Sequence, residues 1–151
     1  MNRSTAREIA VHFAFELAFS SDRAEALLER ELTPEAFSVR SKDEPLYAEF
    51  PGEGELGYIT TLVRGMGSHG AELDGYIEKY AKGWRFSRID RVASAIMRVT
   101  MYEILYMPDV PNKVAINEAV EIAKKYVDDD VVKFINGILG SFVRAELPDQ
   151  G

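Results

Sequence analysis

The chain has 151 residues, 46% of them hydrophobic and 28% charged, which suits one domain with a buried core. The absence of cysteine excludes disulfides and thiolate metal sites and fits a reducing compartment. No apolar run nears the roughly 20 residues of a membrane span, Met1–Thr5 lacks an apolar leader, and the net charge of −7 argues against a general nucleic-acid binder. A cytoplasmic protein is expected.

Helical periodicity dominates in chain order. Residues 5–19 place Ile9, Phe13 and Leu17 one turn apart, and Thr5 with Glu8 has the spacing of a capping box. Arg3 and Arg7 are four apart and share a face, with Phe15 two turns further along it. Residues 23–31 form a short second helix through Ala24, Leu27 and Leu28. From 38 to 55 the pattern dissolves among Pro45, Pro51, Gly52 and Gly54, which predicts a surface loop. Helical spacing returns at Tyr58, Ile59, Leu62 and Val63 and stops at Gly65, Gly67 and Gly70. A further helix runs through Leu73, Tyr76, Ile77 and Tyr80 to near Gly83. Residues 88–106 are apolar all round, with Ile89, Val92, Ile96, Val99, Met101 and Ile104, and mark a central buried helix. Pro108 and Pro111 bracket a turn, and helices over 112–127 and 130–146 complete the chain. With no alternating strand and no internal repeat, the fold class is all-α. About seven helices form two packed bundles in a single domain, 1–151, with a seam at Gly83-Trp84 separating about 1–83 from 84–151.

Charge is unevenly placed. Residues 1–83 carry 9 Lys/Arg against 15 Asp/Glu, whereas residues 84–151 carry 9 against 10. Lys79, Lys82, Arg85, Arg88, Arg91 and Arg98 cluster with only Glu78 and Asp90 among them. A local basic face can hold a short RNA on an acidic molecule, because phosphate attraction is local and screened by salt.

Gly65-Met66-Gly67-Ser68-His69-Gly70, with Asp90 twenty residues on, spells a dinucleotide fingerprint. That motif needs a strand before it, and Tyr58–Val63 reads as helix, so the glycines are read as a helix end and start. His12 and His69 stand apart, and Asp128-Asp129-Asp130 lacks the ligand spacing of a calcium loop. Asp130 is read as the cap of the last helix. Asn117 is read as a buried polar tie, and Gly137 and Gly140 as a close helix contact. No nucleophile elbow, paired acid and base or phosphate loop is present. No catalytic residue, metal ligand or cofactor is therefore expected, and the chain is not expected to be an enzyme. Arg3 and Arg7 near Phe15, and Lys133 beside Phe134, pair cations with rings in the way that grips phosphate and stacks bases. Read alone, each group is also compatible with a solvated helix face beside a core ring.

Four segments together resemble the NusB family. They are Ala6-Arg7-Glu8 with Ala10 and Phe15; Leu62-Val63-x-Gly65 with Leu73-Asp74, Ile77, Tyr80 and Trp84; Ala95-Ile96-Met97-Arg98 with Tyr102-Glu103-Ile104-Leu105; and Val114 to Leu139. The last is the most specific, with Ala115-Ile116-Asn117-Glu118-Ala119 and Lys133-Phe134-Ile135-Asn136-Gly137. The resemblance implies a non-catalytic antitermination factor. Such a protein binds boxA-type single-stranded RNA jointly with NusE, a small-subunit ribosomal protein, joins the transcription elongation complex and supports rRNA synthesis. It also implies RNA-binding roles for Arg3, Arg7, Phe15, Asp130, Lys133 and Phe134. The NusE side falls around Asp90, Ala93 and Arg98.

Two departures stand out. Ser4 and Thr5 fill an interval where the family has a denser arginine cluster, and Ala93-Ser94 replaces an acidic-basic pair, leaving Asp90 one turn away as a substitute. A helical protein-interaction module with lost or weakened RNA binding is the alternative. A third reading, the RNA-binding module of an rRNA methyltransferase, requires an α/β cofactor domain that these 151 residues do not contain.

Overall fold

The protein is described by a computed structural model covering residues 1–19, 23–84 and 88–148. Among the described residues, regular structure consists of seven α-helices and one 3-10 turn, with no strand. The helices are α1 Arg3–Phe19, α2 Ala24–Glu31, α3 Pro34–Arg40, α4 Glu53–Tyr80, α5 Arg91–Tyr106, α6 Asn112–Tyr126 and α7 Asp129–Glu146. None is long and apolar enough to cross a membrane. The chain divides into two compact units, Met1–Ser68 and His69–Gly151. The division falls inside α4, ahead of the Gly83-Trp84 position suggested by composition.

In the first unit, α1 begins earlier than its capping box suggests. The Asn2 side chain accepts from the Thr5 backbone N–H at 2.8 Å, so Thr5 lies within the helix and the Thr5–Glu8 box is not its start. Asparagine ranks with the best helix caps, and the helix it opens buries Ala6, Ile9, Ala10 and Phe13.

The segment expected as a surface loop, 38–55, is half helical: it contains the end of α3, a 3-10 turn and the start of α4. Thr33 caps α3 through the Ala36 N–H, Pro34 occupies its first position, and Pro45 opens the 3-10 turn Pro45–Tyr47. Proline at such a position forfeits no hydrogen bond, because that N–H has no partner within the helix. Tyr47 is 1% exposed and meets Phe37 edge-on at 5.0 Å; Phe37 meets Phe50 at 5.1 Å. The Tyr47 hydroxyl pairs with His12 Nδ1 at 2.9 Å and accepts from Arg40 Nη1 at 3.0 Å. Arg40 also donates to Glu16. Burial pushes the His12 pKa below its ordinary value, partly opposed by Glu44. Burial raises that of Glu16, opposed by Arg40.

The glycines at 65, 67 and 70 do not interrupt α4, which is continuous over 28 residues. None of them has a positive φ. Each glycine costs about 1 kcal/mol relative to alanine, and the helix offsets this by burying Ile59, Leu62, Val63, Met66, Leu73 and Ile77. Gly67 has a packing reason as well: a Cβ there would stand 3.1 Å from Ala24 Cβ, so α2 approaches α4 closely. The apparent dinucleotide fingerprint is thus helix interior.

In the second unit, α5, α6 and α7 pack on one another. Asp90 caps α5 through the Ala93 N–H at 3.0 Å, and the helix is buried from Ala93 to Met97 and again at Val99, Thr100, Met101, Glu103 and Ile104. Helix α6 buries Ala115, Ala119, Ile122 and Ala123, and α7 buries Val132, Ile135, Leu139 and Phe142. Asn117 is exposed, contrary to the buried tie expected of it. The buried polar groups of α5 are instead Ser94, Glu103 and Thr100, whose hydroxyl donates to the Ile96 carbonyl at 2.8 Å. Asp128, not Asp130, caps α7 by accepting from the Val131 N–H at 3.2 Å. Asp129 and Asp130 occupy the first turn, where the macrodipole favours acids.

Two outcomes test this packing. No atom lies within 4 Å of a Cβ built at Gly70, so Gly70→Ala is expected to stabilise the protein by about 0.5–1 kcal/mol in urea denaturation. A loss of stability would mean that the helix breaks there. For His12, a folded pKa below the unfolded value near 6.5 means its contribution is complete above that pH and is lost as pH falls through the folded value. Between pH 7.5 and pH 5.5, on the order of the histidine range, the wild-type denaturation midpoint should therefore fall more steeply than that of His12→Gln. Parallel curves would contradict the burial of the imidazole.

Candidate nucleic-acid interface

In the first unit, the four-residue spacing of Arg3 and Arg7 brings both guanidiniums over one ring. Arg3 lies 4.0 Å and Arg7 5.7 Å from the centroid of Tyr58. Glu55, three residues before Tyr58 in the first turns of α4, accepts from Arg3 Nε at 2.7 Å and Nη2 at 3.3 Å. The two arginines differ in access: the Arg3 side chain is 45% exposed, while Arg7 is only 3% exposed. An incoming phosphate would meet Arg3 first and find its fork on a carboxylate. Phe15 is half-buried further along α1, with Ile9 and Phe13 fully buried.

In the second unit, the head of α7 presents Asp130 and Lys133 to solvent and leaves Phe134 half-buried. Phe134 meets Trp84 at 5.6 Å between ring centroids, with the planes inclined at 64°. Trp84 is itself 57% exposed. Its position follows from the way α4 ends: Gly83 adopts φ +84°, a conformation side chains disfavour, and the Trp84 N–H donates back to the Ala81 carbonyl at 3.1 Å. Trp84 and Phe134 line a cleft of about 1030 Å³ together with Lys82, Lys133, Ser141 and Arg144.

Gly140 has a role here that helix packing does not explain. A Cβ on it would come within 3.1 Å of Arg144 Nη1, so the glycine leaves room for that guanidinium. Gly137 has no atom within 4 Å of a built Cβ, so neither glycine marks the close helix contact expected from their spacing. Glu146, which also lines the cleft, accepts from Lys79 Nζ at 2.7 Å and from the Tyr80 hydroxyl. The hydrogen bonds from Lys79 and Tyr80 hold its carboxyl below the ordinary carboxylate range. Among the described residues, no carboxylate is in ion-pair contact with Lys82, Lys133 or Arg144. Rings flanked by cations of this kind stack bases and hold phosphates.

The residues proposed for partner contact are placed differently from one another. Asp90 is exposed, but its carboxylate caps α5. Ala93 is fully buried. Arg98 is mostly buried, and its Nε donates to Asp74 at 2.5 Å. Of the basic row, Arg88 and Arg91 are exposed, and Arg85 lies outside the described residues.

Periodicity assigned Tyr58 to the core, where it lies buried, but gave no sign that Arg3 and Arg7 rest on its ring or that Glu55 pairs with Arg3. Sequence reasoning placed Trp84 at a seam without a function, although a tryptophan next to a glycine in a basic stretch was a usable signal.

The comparisons with known proteins agree on a family. A sequence model of the NusB family matches residues 4–144. The chain is 34% identical to the "Transcription antitermination protein NusB" of Clostridium kluyveri, with 97% of each chain covered. It is 38% identical to the protein of that name from Acetivibrio thermocellus, covering 97% of this chain and 92% of the relative. With the Symbiobacterium thermophilum protein of that name it shares 39% identity, over 95% of this chain and 90% of the relative. Among solved structures, T. maritima NusB aligns with a TM-score of 0.70 at 22% identity, covering 96% of this chain and 92% of that one. At that identity the structural match speaks to fold.

Proposed function

Since this chain belongs to the NusB family, we propose that it is an RNA-binding antitermination factor that recognises a boxA-type single strand together with NusE. In this role it joins the transcription elongation complex in the cytoplasm and supports rRNA synthesis. The observation that carries the reading is the head of α7, where exposed Lys133 and half-buried Phe134 sit beside the exposed ring of Trp84. Single-stranded RNA offers splayed bases to stack on rings and phosphates for cations to hold. Arg3, Arg7 and Phe15 supply the corresponding groups on α1, with Arg3 the accessible cation of the pair, and Asp130 lies in the turn beside Lys133. On the NusE side, Asp90 is the exposed member of the group Asp90, Ala93 and Arg98. Nothing in this role requires a catalytic group or a cofactor.

A second reading, a protein-interaction module with weakened RNA binding, is favoured by the burial of Arg7 and by the Glu55 carboxylate on Arg3. RNA titration separates the two. A boxA-like strand is expected to bind more tightly than a scrambled one, and more tightly still with NusE. The slope of log affinity against log salt should flatten by about 0.7 when Lys133 becomes Ala, as for one lost phosphate contact. Equal binding of the two strands, with and without NusE, supports the interaction module instead.

Glu55 gives an independent check. Glu55→Gln removes the charge that competes with phosphate for Arg3, so binding should tighten and its salt dependence steepen. Unchanged or weaker binding would remove Arg3 from the RNA surface.

A further inference from the structure

We propose that Trp84 is a base-stacking residue and that the cleft it shares with Phe134 takes a nucleobase, with Lys82, Lys133 and Arg144 holding the flanking phosphates. This rests on the RNA-binding reading above and extends it from the head of α7 to the turn that ends α4.

Three features of the second unit carry the inference. The first is the ring itself. An indole 57% exposed is a large apolar surface left in water, and Phe134 meets it at 64°. The inclined rings form two walls, and a base can lie flat on one while its edge meets the other. The second is the backbone that holds the ring out. Gly83 with φ +84° turns the chain at this point, and the Trp84 N–H is tied to Ala81. The indole is thus presented by a fixed turn, and little ordering is left for binding to supply.

The third is charge. Among the described residues, the cleft is lined by Lys79, Lys82, Lys133 and Arg144 against a single acid, Glu146. Glu146 is already engaged by Lys79 and Tyr80, which leaves the other three cations for a ligand. A cationic surface on a chain of net charge −7 selects a polyanion over the general run of protein partners. The two ring walls select an anion that carries flat π-systems. Single-stranded RNA satisfies both conditions, and an acidic peptide satisfies only the first.

Trp84 is the only tryptophan in the chain, so its emission reports this cleft alone. The full-length protein is titrated with a boxA-like RNA strand, a scrambled strand and polyglutamate, with affinity measured separately by filter binding. Stacking should quench Trp84 emission in step with RNA binding, while polyglutamate leaves it unchanged. Trp84→Ala should weaken RNA binding roughly 5- to 160-fold, the range for one lost base–ring stack, and Trp84→Phe should restore most of it. Circular dichroism confirms that both variants fold.

RNA binding with constant Trp84 emission and an unaffected Trp84→Ala variant overturns this inference and leaves the RNA-binding function standing. Quenching by polyglutamate equal to that by RNA overturns it as well, since charge alone would then suffice. Absence of RNA binding in the filter assay, with and without NusE, overturns the function and this inference together.

Discussion

A cation whose hydrogen bonds are committed to a carboxylate has to give them up before it can hold a phosphate. That competition governs how an acidic protein of net charge −7 can bind RNA. The two units treat their cations differently. On α1 the Arg3 fork rests on Glu55 and its plane on Tyr58, so an incoming phosphate would have to displace a carboxylate there. Exchange adds specificity but little net attraction, because the free protein is already compensated. Around Trp84 and Phe134 the one acid in the lining is engaged by Lys79 and Tyr80, and Lys82, Lys133 and Arg144 keep their charge for an incoming strand. A low overall charge is therefore compatible with local phosphate attraction over a Debye length of about 8 Å.

The rest of the second unit gives this surface its definition. Helix α5 is buried over most of its length and packs with α6 and α7, so α7 is fixed through Val132, Ile135, Leu139 and Phe142. With that stripe locked in the core, the neighbouring positions Lys133, Phe134, Ser141 and Arg144 face the cleft. Small residues complete the design: Gly83 sets the turn and Gly140 admits the Arg144 guanidinium. Substitution at either changes the surface without altering Trp84, Lys133 or Phe134 themselves. In the first unit, the Tyr47 hydroxyl joins His12 and Arg40 beneath α1 and fixes the helix that carries Arg3.

What the sequence made legible follows from the reach of local patterns. Helices α1, α2, α5, α6 and α7 were readable because each carries a stripe of period 3.6 between recognisable ends. The pairing of Arg3 with Arg7 was readable for the same reason, since residues four apart in a helix share a face. Composition misled where packing overrode it. Prolines and glycines between 38 and 55 suggested a loop, yet Tyr47 and Phe50 from this segment each pack on Phe37. Glycines 65, 67 and 70 suggested a break, yet buried residues on both sides carry α4 through. Asn117 looked buried because its neighbours in sequence are apolar, but the helix turns it outward. The partners Tyr58 and Glu55 for Arg3, and Trp84 for Phe134, lie about 50 residues away in each case. Such pairs are set by tertiary packing, which no single-segment periodicity encodes.

The most direct measurement is a map of backbone amide and indole chemical shifts on addition of a boxA-like RNA strand. Recognition through rings and cations requires the largest changes at Arg3 and Tyr58 in one unit, and at Trp84, Lys133 and Phe134 in the other. Changes concentrated instead on the outer face of α6, around Asn117 and Glu121, with those five positions silent, would contradict it.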